Sequence, residues 1–525
     1  MLTVDGLSMR IGNAQILRDV SFNVAPGEVF GVVGESGSGK SMTALSVLRL
    51  EPRGARLSGR IAFEGRDLLT EPERRLNALR GRDIGMIFQE PMTALNPLKT
   101  IGDQVAETLL VHGAADRSGA REMAKERLAR VGLDPARVPL SRYPHELSGG
   151  QRQRVCIAAA GALRPKLLIP DEPTTALDVT TQAQILELLK DLVADEGMAL
   201  MLITHGLAVV HGLADRVAVM RGGEVVDQGP TGQLFRARAH PYTARLFEDS
   251  RHVPKRAARP KGQPVLDVRD AVRVYPGRQR GLFGGADPVR AVDGVSLTVA
   301  AGESVGLVGE SGCGKSTLPR AILGLEPLQG GAVQLDGQPV VAGRVPSDLR
   351  RRMQVVFQDP YGSFDPRQKV SRLVAEPFHL HPVPSDERRT RVAEALKAVG
   401  LTPKDGSRFI HEFSGGQRQR IAIARAIVIR PGLVILDEAV SALDVSIRAQ
   451  ILDLLADLQQ RFGLSYLFIS HDLSVVRAIT DRVLVMKSGK IVEQGETAQV
   501  LHAPDNAYTR ALVAAAPVLP DAETV

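Results

Sequence analysis

The eight-residue word Gly-x-x-x-x-Gly-Lys-Ser occurs twice in the chain, at residues 34–41 and 309–316. Each copy follows an apolar run, Val29-Phe30-Gly31-Val32-Val33 or Val305-Gly306-Leu307-Val308. Each leads into a helical pattern, Met42 to Leu50 in the first and Ala321-Ile322-Leu323 in the second. A glycine-rich turn between strand and helix aims successive backbone N–H groups at one point, which is what a chain of phosphates requires. The loops read Gly34-Glu35-Ser36-Gly37-Ser38-Gly39-Lys40-Ser41-Met42 and Gly309-Glu310-Ser311-Gly312-Cys313-Gly314-Lys315-Ser316-Thr317. Lys40 and Lys315 add a point charge, and the Ser41 and Ser316 hydroxyls suit Mg²⁺. Chance would produce one such word in roughly one chain of this length in a hundred, so two in context are not accidental.

The later motifs show that the duplication covers whole domains. Lys40 and Lys315 lie 275 positions apart and Gln89 and Gln358 lie 269 apart. The pairs Ser148/Ser414, Asp171/Asp437, His205/His471 and Tyr242/Tyr508 all lie 266 apart. A chain of 525 residues exceeds one core, and the repeat divides it into domains at 1–248 and 264–525 with a linker at 249–263. The basic stretch Arg251 to Lys261 within that linker reads as solvated.

Composition removes several functions. Sixty-six basic against 59 acidic residues leave a net charge of +7, too diffuse over this surface for a nucleic-acid partner to be expected. Two cysteines, Cys156 and Cys313, build neither a metal cluster nor a disulfide framework and fit a reducing compartment. No run of 18 apolar residues occurs, and the opening MLTVDGLSMR lacks the basic and apolar regions of a signal peptide, so no membrane span is expected.

Alternating segments precede each loop, Leu2 to Ile11 and Val20 to Val24, then Leu266 to Tyr275 and Val295 to Val299, and read as strands. The second copy carries an extra loop, Gly277 to Pro288. Helical patterns follow at Arg121 to Val131 and Arg388 to Val399, and then strands alternate with helices as in a parallel sheet. Ser148-Gly149-Gly150-Gln151 and Ser414-Gly415-Gly416-Gln417 each open a basic helix start, a second anion-attracting turn. Leu167-Leu168-Ile169-Pro170-Asp171-Glu172 and Leu433-Val434-Ile435-Leu436-Asp437-Glu438 are buried-strand runs ending in paired acids.

Together these motifs resemble the ATP-binding cassette ATPases over essentially the whole chain, twice. The resemblance implies an α/β fold of two tandem P-loop NTPase cassettes, each with an antiparallel β subdomain and a helical insert. It implies that Asp171 and Asp437 bind Mg²⁺, that Glu172 and Glu438 polarise the attacking water, and that His205 and His471 meet the γ-phosphate. Gln89 and Gln358 match the residue reaching both Mg²⁺ and water, while Ala176-Leu177-Asp178 and Ala442-Leu443-Asp444 match the family's inter-domain loop. In this family two cassettes close head to tail, so Lys40 would share one ATP with Ser414 and Lys315 another with Ser148. Fusing the two in one chain makes that closure intramolecular, and no obligate homodimer is implied.

The segments from Gln89 to Pro97 and from Gln358 to Pro366, with His240-Pro241-Tyr242-Thr243-Ala244-Arg245-Leu246, look like the dipeptide/oligopeptide/nickel importers. Fused members serve peptide, glutathione or peptide-antibiotic uptake. That branch implies two integral-membrane permeases as partners, an extracytoplasmic solute-binding protein acting indirectly, and a peripheral place on the cytoplasmic face of the membrane. The segments after Gln89 and Gln358, with Met92 and Tyr361, would receive the permeases. Tyr275 sits where the family stacks an aromatic on adenine, but its counterpart is Ile11. Pro170, Met42 and Gly206 also depart from the pattern. The alternative is a soluble tandem ATPase acting on ribosomes. Such proteins carry a long charged helical linker, where this chain has only residues 249–263.

Overall fold

A computed structural model describes residues 1–89, 91–175, 177–256, 262–277, 288–359, 362–441 and 443–519; Pro91 and Met92 are described by backbone only. Glu90, Ala176, Pro360, Tyr361, Ala442 and most of the extra loop at 277–288 lie outside the described residues. The chain forms two compact units. The first comprises residues 1–177 and 181–250 with the described residues 517–519, and the second comprises residues 178–180 and 251–516.

Within the first unit, five parallel strands and one antiparallel edge strand form a six-stranded sheet. Its order is Glu224–Pro230, Arg216–Arg221, Val29–Val33, Ala199–Thr204, Leu167–Pro170, Ile84–Ile87. Val29–Val33 is buried at every position because the sheet is covered on both faces. Side chains alternate between the two cores: Val29, Val33, Leu200 and Leu202 pack with the helices, including Leu109 and Leu128 of the helical insert. Phe30, Val32, Met201 and Ile203 pack with the antiparallel sheet, including Leu2, Val4 and Ile61. That second sheet runs Ala14–Val24, Leu2–Ile11, Ala55–Phe63, Arg66–Asp67.

The second unit repeats this plan. Its six-stranded sheet is ordered Met353–Val356, Leu433–Asp437, Ser465–Ile469, Ser304–Val308, Arg482–Lys487, Lys490–Glu496. Its antiparallel sheet is ordered Val289–Ala300, Pro264–Tyr275, Gly330–Leu335, Gln338–Pro339. In both units the strand leading to the phosphate loop lies inside the sheet, so the loop leaves its C-terminal edge, where α/β sheets place ligands.

The insert helix Arg117–Arg130 starts earlier than its apolar pattern because Asp116 caps it, accepting the Gly119 N–H at 2.8 Å. The linker is not simply solvated. His252 pairs with Asp453 and Arg256 with Asp481, each at 2.7 Å, so the described half of the basic stretch lies against the second unit.

Candidate functional site

Both phosphate loops are tightly specified by their backbones. Gly34 and Gly309 sit at φ 155° and 154°, and a Cβ on either would come within 2.2 Å of the carbonyl oxygen of Met220 or Met486. Only glycine fits there. Lys40 Nζ donates to the Gly34 and Glu35 carbonyls at 2.8 Å each, and Lys315 Nζ to those of Gly309 and Glu310 at 2.6 Å each. Both lysines are buried, so the positive charge is fixed by the loop that curls around it. Helix Lys40–Val47 takes up Ser41 and Met42, whereas its counterpart begins at Thr317, with Ser316 as N-cap.

The paired acids end the neighbouring strands. Pro170 has no N–H for the ladder, which is interrupted there and resumes at Asp171 as an isolated bridge to Ile203, while the second strand runs unbroken through Asp437. Glu172 and Glu438 both hold left-handed backbone at φ 49°, a conformation costing on the order of 1 kcal/mol for a non-glycine residue. The turn throws each glutamate towards a glutamine and a histidine. Gln89 Nε2 donates to Glu172 Oε2 at 3.1 Å, and His205 Nδ1 lies 3.3 Å from the same oxygen. Gln358 Nε2 donates to Glu438 Oε2 at 2.6 Å, and His471 Nδ1 lies 3.3 Å from Glu438 Oε1. Glutamine, histidine and glutamate, distant in sequence, therefore meet in each unit.

The environments push the two acids apart. Burial raises Asp171 to about 6; Ser41, which hydrogen-bonds its side chain, and Lys40 oppose the rise, while Glu172 adds to it. Burial also acts to raise Glu172, but His205, Thr175 and Lys40 outweigh it and hold the carboxylate down at about 2. In the second unit burial and then Glu438 raise Asp437 to about 6 against Arg320 and Lys315, and His471 and Lys315 keep Glu438 low despite burial. Divergent carboxylates side by side are the arrangement expected of a divided chemical role. The Asp171 Oδ1 atom is buried without a hydrogen-bond partner, beside the Ser41 hydroxyl. An acceptor-only oxygen in that position fits a cation. Among the described residues no three His, Cys, Asp or Glu side chains converge as a cage.

Ser148 and Ser414 cap helices Gly149–Ala160 and Gly415–Ile427, each in a reciprocal box with Gln151 or Gln417. A Cβ on Gly150 would lie 2.4 Å from Thr181 and one on Gly416 2.6 Å from Ile447, so these glycines allow close helix packing. Tyr275 hydrogen-bonds Glu326 through its hydroxyl and carries the Arg273 guanidinium 4.4 Å from its ring centre. Its counterpart Ile11 packs at the edge of the antiparallel-sheet core. Gly206 replaces Asp472 as helix N-cap; Asp472 pairs with Arg448 at 2.7 Å, and the position matching Arg448 is Gln182, so cation and anion are absent together.

Cys313 lies two residues before Lys315, whose charge acts to lower its thiol pKa. Burial dominates instead and raises the thiol above its ordinary value. Sequence reasoning also missed three contacts. Thr175 Oγ1 donates to Glu172 Oε2 at 2.9 Å, and the Tyr242 and Tyr508 hydroxyls touch the phosphate loops. The 266-residue offset of the tyrosines was the available signal.

Two phosphate loops, each facing a Gln–His–Glu cluster on a P-loop sheet, define a tandem nucleotide hydrolase. The chain belongs to the ABC transporter family, which matches residues 17–175 and 292–441, and it is an ATP-binding ATPase of that family. Residues 492–524 match the C-terminal region of oligopeptide/dipeptide transporters. The chain is 51% identical to the peptidoglycan transport ATP-binding protein YejF of Agrobacterium fabrum (strain C58), over 95% of this chain and 92% of that protein. It is 47% identical to the glutathione import ATP-binding protein GsiA of Escherichia coli (strain K12), over 96% of this chain and 86% of that protein. A solved cassette, cbiO1 of Clostridium perfringens, is 29% identical over 46% of this chain and 92% of its own, with a TM-score of 0.41.

Proposed function

We propose that the chain is the ATP-hydrolysing subunit of an importer for peptides or peptide-like solutes. The observation that carries this reading is its identity to a peptidoglycan transport and a glutathione import ATP-binding protein along nearly its full length, with the lysine, paired acids, glutamine and histidine present in both copies. The residues assigned by resemblance keep those roles. Lys40 and Lys315 hold the phosphates, Glu172 and Glu438 polarise the attacking water, and His205 and His471, whose Nδ1 atoms lie 3.3 Å from those carboxylates, meet the γ-phosphate. Ser41, Gln89 and Asp171, with Ser316, Gln358 and Asp437, would hold Mg²⁺, which when bound neutralises charge on the transferred phosphoryl group. Tyr275 and Ile11 would flank the adenine. Ser148-to-Gln151 and Ser414-to-Gln417 would complete the opposite ATP site on head-to-tail closure, with cassettes at 1–248 and 264–525 about the linker at 249–263.

Among the described residues no helix is long and apolar enough to cross a membrane. Two permeases, and through them an extracytoplasmic binding protein, are the proposed partners, which places the chain at the cytoplasmic face of the membrane. Co-purification tests this: the chain should come out with two permeases encoded beside its gene, and their loaded binding protein should raise its ATPase rate. Stable sedimentation with ribosomes in their place would favour a soluble remodelling factor.

A further inference from the structure

The last helix of each repeat reaches back to the phosphate loop. Helix Pro241–Ser250 places Tyr242 so that the Glu35 N–H donates to its hydroxyl oxygen at 3.4 Å. Helix Ala507–Ala514 places Tyr508 to accept the Glu310 N–H at 3.1 Å. The amide so held shares a peptide plane with the carbonyl of Gly34 or Gly309, and that carbonyl accepts the loop lysine, Lys40 at 2.8 Å or Lys315 at 2.6 Å. A peptide unit is planar, so fixing its N–H fixes the direction of its C=O. The preceding residue is glycine in both loops, at φ 155° and 154°, and leaves that plane freer to rotate than any other residue would. The tyrosine hydroxyl therefore restrains this peptide from its N–H side while the loop lysine holds its C=O side.

Each ring is itself held. The Arg221 guanidinium lies 4.9 Å from the Tyr242 ring centre and Lys487 Nζ lies 4.5 Å from that of Tyr508. Arg221 and Lys487 close the strands that pair with Val29–Val33 and Ser304–Val308, the strands that deliver the loops. Burial, only partly offset by the Glu310 N–H, pushes the Tyr508 hydroxyl up to about 12, so it remains neutral.

We propose that Tyr242 and Tyr508 are positioning residues for nucleotide binding: by locking the Gly34–Glu35 and Gly309–Glu310 peptides they aim Lys40 and Lys315 at the phosphates. The inference rests on the loops being ATP sites. It gives the transporter-type C-terminal region, residues 492–524, a direct part in the second of them through Tyr508.

The test uses the full chain carrying Lys40→Ala, so that binding of a fluorescent ATP analogue and hydrolysis report the second site. Adding Tyr508→Phe removes one neutral hydrogen bond and should raise Kd and KM roughly two- to tenfold, with kcat and the nucleotide-free melting temperature little changed. Tyr242→Phe in a Lys315→Ala chain repeats the measurement at the other loop, with a smaller rise expected from the longer bond. Unchanged Kd and KM in folded Tyr508→Phe, or a loss confined to kcat or to melting temperature, would overturn the proposal. A Lys40→Ala parent that binds no nucleotide would overturn the ATP reading of the second loop and this inference with it.

Discussion

Asp171 is the residue at which burial and function oppose each other, and replacing it should stabilise the protein. Its carboxyl rises from an ordinary 3.8 to about 6, chiefly through burial. A folded-state pKa above the unfolded one means that the native state binds the proton more tightly. The ionised form therefore costs stability, fully above about pH 6 and not below about pH 4. A shift of roughly 2 units corresponds to about 3 kcal/mol at most, at ~1.4 kcal/mol per unit. Asp171→Asn keeps the shape and an acceptor for Ser41 but carries no charge. In EDTA without nucleotide, its denaturant midpoint at pH 7.5 should exceed wild type by the equivalent of about 1–3 kcal/mol, falling below roughly 1 kcal/mol by pH 4. Mg²⁺ with ATP should then stabilise the wild type and leave the variant behind. A variant less stable than wild type at pH 7.5, or a difference that ignores pH, would refute the argument that this buried carboxylate awaits a cation.

Two further outcomes follow from the same geometry. Glu172→Gln combined with Glu438→Gln should lower steady-state ATP hydrolysis by ~10²–10⁴ while nucleotide still binds, measured by phosphate release and by retention of labelled ATP; wild-type turnover would remove both glutamates from the chemistry. Cys313, buried and with its thiol pKa raised, should react with maleimide much more slowly than a free thiol at pH 7.5, as mass spectrometry of the intact chain would show. Rapid single labelling at Cys313 would contradict its burial.

The fold was legible because the repeated loop fixes a strand before it and a helix after it, and unbroken apolar runs such as Val29–Val33 mark strands covered on both faces. The lysines, paired acids, glutamines and histidines were legible as candidates because each recurs within its motif in both copies. What sequence could not convey depends on burial and long-range contact. The positive charge of Lys315 is two residues from Cys313, yet desolvation, invisible in the sequence, sets the direction of the thiol's shift. The left-handed backbone of Glu172 and Glu438 has no signature, since neither is glycine or asparagine. His252 lies 201 residues before Asp453, so a basic stretch that reads as solvated turns out partly anchored.

The most direct measurement is accumulation of a labelled peptide inside proteoliposomes holding the chain with the two permeases and the loaded binding protein proposed for it. Uptake against a gradient that requires ATP and vanishes with Glu172→Gln plus Glu438→Gln is the predicted result. ATP hydrolysis at full rate without any solute movement, across dipeptides, oligopeptides and glutathione, would contradict the account.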